Sequence, residues 1–171
     1  MVNWLQKIIK AGEKIKTALH ERASKEDIAK SDWTSCCKGP ILKKDLENNL
    51  FVCASCNKHH YISPTQRFDI MFGKNNWQKI ESPQPPPDPY NWQDTKKYTD
   101  RLKDAKKITG QDNAILSCEA KINDIEVVVS AVNFKFIGGS ISMAEGENVL
   151  ASIQVAIDKK CPYIFISASG G

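Results

Sequence analysis

The chain has 171 residues, with 24 lysines and arginines against 20 acidic residues, a net charge of +4. At 41% hydrophobic and 26% charged it reads as globular and not disordered, one domain or a small module joined to part of a larger one. Its mild basicity is too small to imply nucleic acid by itself. No run approaches the roughly 18 apolar residues of a membrane span. Met1-Val2-Asn3-Trp4 opens no secretory signal, so a cytoplasmic location is expected.

Residues 4–22 place Trp4, Leu5, Ile8, Ile9, Ala11, Ile15, Ala18 and Leu19 near helical spacing, with Lys7, Lys10, Lys14 and Lys16 between them. This is the pattern of a basic amphipathic helix. Membrane or nucleic-acid contact is one use for it; a surface helix docked on its own protein or a partner is the reading preferred here.

Residues 33–62 form a cysteine module. Cys36, Cys37, Cys53 and Cys56 lie close together, whereas Cys118 and Cys161 sit far downstream in apolar runs and are expected in the core. Clustered thiols in a reducing compartment more often hold a metal than form disulfides. Cys53-Ala54-Ser55-Cys56 is a complete knuckle, in which two thiolates reach one Zn²⁺ at about 2.3 Å. Cys36 and Cys37 lack the usual two-residue spacer, and adjacent side chains in extended chain point to opposite sides. Cys37, Cys53 and Cys56 supply three ligands. The fourth is Cys36 or, failing that, His59 or His60; Cys36 is preferred. Residues 40–52, between the cysteine pairs, fit two short strands joined by a polar turn, the body of a zinc ribbon. So small a module cannot bury a sizeable core, so the metal would be structural and would drive its folding.

Ser63 and Pro64 mark a helix start, Phe68, Ile70, Met71 and Phe72 give it an apolar face, and Gly73 ends it. Residues 82–89 hold five of the eight prolines, which excludes helix or central strand and suits a stiff linker more than a ligand for a proline-recognising domain. A helix is expected over 95–108, stopped by Thr109-Gly110. Two strands, 114–120 and 125–132, flank a turn at Asn123-Asp124. Phe134-Lys135-Phe136-Ile137 then leads into Gly138-Gly139-Ser140. A helix over 143–159 should bury Val149, Leu150, Ile153, Ala156 and Ile157, and residues 161–168 read as a buried strand. A buried strand and glycine turn normally feed another helix, so the sequence is expected to be cut short after Gly171.

Taken in order, several segments resemble one family. They are Asn3-Trp4, Trp33-Thr34, Lys44 to Cys53, Cys56-Asn57-Lys58-His59-His60, Ser63 to Arg67, Asp94 to Leu102, Phe134 to Ser140, and Phe165 to Gly171. The family is the beta subunit of bacterial acetyl-coenzyme A carboxylase carboxyltransferase. The resemblance implies an α/β (α+β) chain: a four-cysteine zinc ribbon, then a truncated crotonase-like superhelix of strand-strand-helix units. It implies the divisions 1–30 (amphipathic helix and linker), 31–62 (zinc ribbon), 63–92 (short helix and Pro-rich linker) and 93–171 (partial carboxyltransferase domain).

The implied reaction moves a carboxyl group from carboxybiotin to acetyl-CoA, giving malonyl-CoA for fatty acid biosynthesis. Implied partners are the alpha subunit in an α2β2 heterotetramer, the biotin carboxyl carrier protein, and the ATP-using biotin carboxylase. Zn²⁺ would be held by Cys36, Cys37, Cys53 and Cys56. Gly138, Gly139, Gly170 and Gly171 would line the acyl-CoA pocket, where backbone N–H groups stabilise carbonyl oxygens that gain negative charge. No catalytic side chain is implied. Two departures stand out: the family spaces its first cysteine pair as CxxC, and it continues after Ser-Gly-Gly into Ala-Arg-Met-Gln-Glu and a second half. The chain alone is therefore expected to be inactive. A zinc-ribbon nucleic-acid-binding or regulatory protein is the alternative, using Lys7 to Lys16 and Lys96 to Lys107.

Overall fold

The computed structural model describes residues 32–36 and 39–170, so the helix expected over 4–22, Cys37 and Gly171 lie outside the described residues. The chain forms two compact units that divide between Tyr61 and Ile62. Among the described residues it is mixed α/β, and no helix is long and apolar enough to cross a membrane.

The first unit opens with a hairpin. β1 (Trp33–Cys36) runs antiparallel to β2 (Gly39–Leu42), with Cys36 opposite Gly39 at the turn end. The pair of strands expected across 40–52 does not form. After β2 the chain turns directly into helix α1 (Lys43–Asn48), whose Leu46 is buried. The reason is local: Lys-Lys-Asp-Leu-Glu-Asn carries no β-branched residue and several good helix formers. Leu50 and Phe51 then take left-handed backbone (φ 52° and 63°), reversing the chain so that Val52 bridges His59.

The second unit is built on a four-stranded sheet whose strands lie side by side in chain order, β3 (Trp77–Lys79), β4 (Ile115–Ile122), β5 (Ile125–Val132) and β6 (Tyr163–Ile166). Helix α2 (Pro64–Phe72) starts as the sequence dictates. Gln66 N–H donates to Ser63 Oγ (3.3 Å) and Gln66 Oε1 accepts from Ser63 N–H (3.0 Å), Pro64 occupies the first turn, and Gly73 at φ 88° stops it. β3 (Trp77–Lys79), a strand the sequence did not announce, is pinned by its tryptophan. Trp77 meets Phe68 edge-on at 5.3 Å and donates its indole N–H to Asp69 Oδ1 at 2.8 Å. Helix α3 (Tyr98–Thr109) ends on left-handed Gly110. β4 (Ile115–Ile122) and β5 (Ile125–Val132) pair antiparallel, joined by Asn123 and Asp124, both at positive φ as a two-residue hairpin turn requires. Helix α4 (Met143–Asp158) crosses back to β6 (Tyr163–Ile166), which lies parallel to β5.

Alternation along β4 and β5 gives the sheet two unlike faces. One presents Leu116, Cys118, Ala120, Val127, Val129 and Ala131 to a core that also contains the fully buried Phe68 of α2. Burial pushes the Cys118 thiol up to about 12, with Glu119 adding to the shift, so it is an inert packing group. The other face is polar. Ser117 Oγ lies 2.7 Å from both Ser130 Oγ and Asn148 Oδ1, and Asn148 Nδ2 donates to the Ile115 carbonyl at 2.8 Å. This corrects the expected core face of α4. Glu145, Asn148, Ser152 and Ala156 are its buried residues, while Leu150 and Ile157 are each 62% exposed. β6 also departs from expectation: among the described residues it pairs on one side only and is half-buried, and Cys161 just before it is half-buried too.

Candidate functional site

Two features of the folded chain carry chemistry, one in each unit. In the first, Cys36 sits at the end of the β1–β2 hairpin, and Cys53 and Cys56 sit on a tight turn. Asn57 N–H donates to the Cys53 carbonyl (2.8 Å), Cys53 N–H to the Lys58 carbonyl (2.9 Å) and His60 N–H to the Phe51 carbonyl (2.8 Å). These bonds bring the three sulfurs within 4.8 Å of one another, with Cys36 and Cys56 Sγ at 3.4 Å. Tetrahedral Zn–S bonds of about 2.3 Å would set thiolates roughly 3.8 Å apart, so the spacing fits a shared ion. Cys53 is buried, yet its pKa is lowered to about 7, chiefly by the Ser55 backbone hydrogen bond and then by the Cys56 and Cys36 thiols, which outweigh its desolvation. A thiolate already favoured near neutral pH is what a soft divalent ion takes. Of the residues weighed for the open position, Cys36 joins the cluster. His59 and His60 do not, and Cys37 lies outside the described residues.

In the second unit the glycine turns converge. β5 runs out at Val132, and Asn133 turns the chain by donating its N–H to the Ala114 carbonyl (2.7 Å) and accepting Lys135 N–H on Oδ1 (3.0 Å). Phe136 is buried with Ala105 and Ala114, anchoring the short 3₁₀ turn Ile137–Gly139. Both glycines there are left-handed, Gly138 at φ 65° and Gly139 at φ 72°. Gly139 packs against the segment after β6, where a Cβ would overlap the Ala168 carbonyl oxygen and stand 3.0 Å from Val132 Cγ1. Gly170 N–H donates to the Gly138 carbonyl at 3.1 Å, so the two distant glycine segments are hydrogen-bonded together. The N–H groups of Gly139 and Ser140 are spent on the Phe136 and Ile137 carbonyls. The Gly138 N–H is not spent within the turn, and Gly138 is exposed.

The turn is held from below by a carboxylate that sequence reasoning missed. Glu145, 2% exposed, accepts Ala114 N–H on Oε1 at 2.8 Å, and Ser142 N–H on Oε2 at 3.0 Å together with the Ser142 hydroxyl. The Ser142-x-x-Glu145 spacing was the available signal, since it is the N-terminal signature of a helix.

Beside the turn lies a cavity of about 560 Å³ between the proline-rich strap, α3 and the start of α4. On its wall Arg101 Nη2 reaches both Asp94 oxygens at 2.6 Å. That bond, with Lys96 N–H, holds the Asp94 carboxyl at about 2 against its usual 3.8. Because the folded value is the lower one, the ion pair stabilises the fold above the usual carboxylate pKa and loses that contribution as pH falls towards 2. Asp94→Asn is therefore expected to flatten the acid limb of the stability curve between about pH 4 and pH 2, with a small effect at neutrality because the pair is exposed. Urea unfolding across that range reads it, and an unchanged limb would contradict it. Three of the five lysines from Lys96 to Lys107 are likewise engaged: Lys96 with Asp104, Lys103 with Asp100 and Lys106 with Asp112. These pairs describe a solvated and partly neutralised helix face, which weakens the nucleic-acid alternative.

No protein-family model matches the chain. Curated relatives do match it along its length. A protein of Pelagibacter ubique named acetyl-coenzyme A carboxylase carboxyl transferase subunit beta is 54% identical over 170 residues, covering 99% of this chain and 55% of the relative. Proteins of the same name from Beijerinckia indica and Granulibacter bethesdensis are 34% and 36% identical over 172 residues, again across 99% of this chain, and it covers 57% and 54% of them. The chain spans about half the length of the curated relatives it matches.

Proposed function

We propose that this chain, similar over 99% of its length to proteins named acetyl-coenzyme A carboxylase carboxyl transferase subunit beta, is a portion of a subunit with that activity. The observation that carries the reading is the 54% identity over 170 residues, a matched span long enough to take in both the thiol cluster and the two glycine turns. The sheet supports a crotonase-like core: β4, β5 and α4 make one strand-strand-helix unit, and β6 continues parallel to β5.

Carboxyl transfer to acetyl-CoA requires the methyl carbon to lose a proton and form a C–C bond to the incoming carboxyl. The carboxyl's bond to the biotin nitrogen breaks, and that nitrogen takes up a proton. Biotin, on its carrier protein, supplies the activated carboxyl when bound. The thioester oxygen gains charge as the methyl carbon is deprotonated, and a backbone donor held at a fixed angle stabilises it without reorganising. Gly138 N–H, exposed and not spent within its turn, is the donor we assign to this role. Gly139 and Gly170 spend their N–H groups on holding the turn, and Gly171, outside the described residues, is assigned to the same pocket by the resemblance alone. The base that accepts the methyl proton is not among these glycines.

Cys36, Cys53 and Cys56, with Cys37 as fourth ligand, would hold a structural Zn²⁺. The expected partners are the alpha subunit in an α2β2 arrangement, the carrier protein and biotin carboxylase, with the assembly in the cytoplasm.

The test is reconstitution. The full reading frame that carries this chain, combined with the alpha subunit and carboxylated carrier, should form malonyl-CoA from acetyl-CoA, and no malonyl-CoA would refute the reading. Native mass should also show one zinc per chain. Its removal by a chelator should unfold the unit through Tyr61, since zinc binding is the folding energy of so small a module.

A further inference from the structure

The direction of the Gly138 N–H is set by one peptide plane. The Ile137 carbonyl shares that plane and accepts Ser140 N–H at 3.2 Å, so the Gly138 N–H points the opposite way, as in any trans peptide. One step back, the Phe136 carbonyl accepts Gly139 N–H at 2.9 Å, and Phe136 N–H donates to the Asn133 carbonyl at 2.9 Å. This run of bonds is anchored at Asn133. The residue follows β5 directly and is 3% exposed. Its Oδ1 accepts Lys135 N–H at 3.0 Å, closing a short turn of the kind asparagine favours. On the other side Asn133 Nδ2 donates to Gln111 Oε1. Gln111 is fixed in turn at the end of α3, where its N–H donates to Thr109 Oγ1 at 3.3 Å and the Thr109 hydroxyl donates to the Ala105 carbonyl at 2.7 Å.

The two neighbours of this side chain demand an amide. Lys135 brings a donor and Gln111 an acceptor, so the residue between them has to accept on one atom and donate on the next. Asparagine does both without charge. Aspartate keeps the first acceptor, and Gln111 can turn its own amide over to donate to the second oxygen; alanine offers neither. Neither Asn133 nor Gln111 lines the cavity beside the turn. Resting on the carboxyl-transfer reading above, we propose that Asn133, with Gln111 behind it, is a positioning residue for that reaction: it touches no substrate and acts by fixing the direction of the Gly138 N–H towards the thioester oxygen.

The test uses the full reading frame that carries this chain, reconstituted with the alpha subunit and carboxylated carrier. Asn133→Ala and Gln111→Ala should each lower kcat about tenfold and leave KM for acetyl-CoA within about twofold, because a misdirected donor is missed only where charge has developed. The double variant should be no slower than the slower single one, since both changes remove the same link. Asn133→Asp should recover most of kcat. A spectroscopic reading separates aim from stability. The ¹³C resonance of carbonyl-labelled acetyl-CoA, shifted on binding by the N–H donor, should return towards its free position in both alanine variants and stay shifted in Asn133→Asp. Circular dichroism and thermal midpoints establish that the variants fold. If Asn133→Ala does not, Gln111→Ala carries the test, because it leaves the Asn133–Lys135 turn in place. An unchanged kcat in Gln111→Ala, additive losses in the double variant, or a carbonyl resonance indifferent to the substitutions overturns the assignment. If the unsubstituted frame forms malonyl-CoA and the variants match it, only the role of Asn133 fails. If the unsubstituted frame forms none, the reading beneath fails and takes the assignment with it.

Discussion

Gly139→Ala is expected to destabilise the second unit by about 2–4 kcal/mol, the sum of left-handed backbone strain and overpacking against an unyielding neighbour. The neighbour decides the size. A Cβ at Gly139 stands 3.0 Å from Val132 Cγ1 and overlaps the Ala168 carbonyl oxygen, a backbone atom that no rotamer change can move aside. Gly138 is the internal control. It has a similar φ of 65°, yet a Cβ there meets nothing within 4 Å, so Gly138→Ala should cost only the backbone term of about 1–2 kcal/mol. Amide exchange at β4 and β5, which report opening of this unit and not of the other, measures both. Equal losses in the two variants would mean that the contact with Ala168 is not maintained in solution. The same contact has a functional consequence. Displacing the segment after β6 from Gly139 breaks the Gly170 N–H bond to the Gly138 carbonyl, and with it the aim of the Gly138 N–H.

Much of this arrangement could be read in advance, and the failures share a cause. Helix α2 was legible because Ser63, Pro64 and Gly73 act through their own backbone chemistry, and the β4–β5 hairpin because Asn123 and Asp124 tolerate positive φ. Such signals need no tertiary context. The thiol cluster was legible as a set, since Cys53-x-x-Cys56 fixes one half of it. The buried face of α4 was not. Glu145, Asn148, Ser152 and Ala156 have helical spacing, but a search for apolar periodicity passes over a stripe that is mostly polar. Those side chains are buried because Ser117 and Ser130 on the sheet opposite are polar as well. The apolar run through β6 reads as a buried strand, whereas among the described residues it has a partner on one side only. A run of Tyr-Ile-Phe-Ile states that a strand wants covering and does not state what covers it.

The polar face of α4 leads to the other large expected effect. Glu145→Ala should cost about 2–4 kcal/mol, because it strands the Ala114 and Ser142 N–H groups in a site where Glu145 itself is 2% exposed. Glu145→Gln separates the contributions. A glutamine keeps one acceptor oxygen and turns the other position into a donor, so one of the two backbone N–H groups is satisfied and the other faces an NH₂. An intermediate loss, roughly half that of alanine, is the expected result by the same amide-exchange measurement. If glutamine proves as damaging as alanine, the negative charge at the start of α4, interacting with the helix dipole, matters more than the count of acceptors. Either ranking tells how the Ile137–Gly139 turn is supported. That turn is flanked by Asn133 holding the Ala114 carbonyl before it and by Glu145 holding the Ala114 N–H after it. Both peptide groups of one residue at the entry to β4 thus fix the two ends of the loop that presents Gly138.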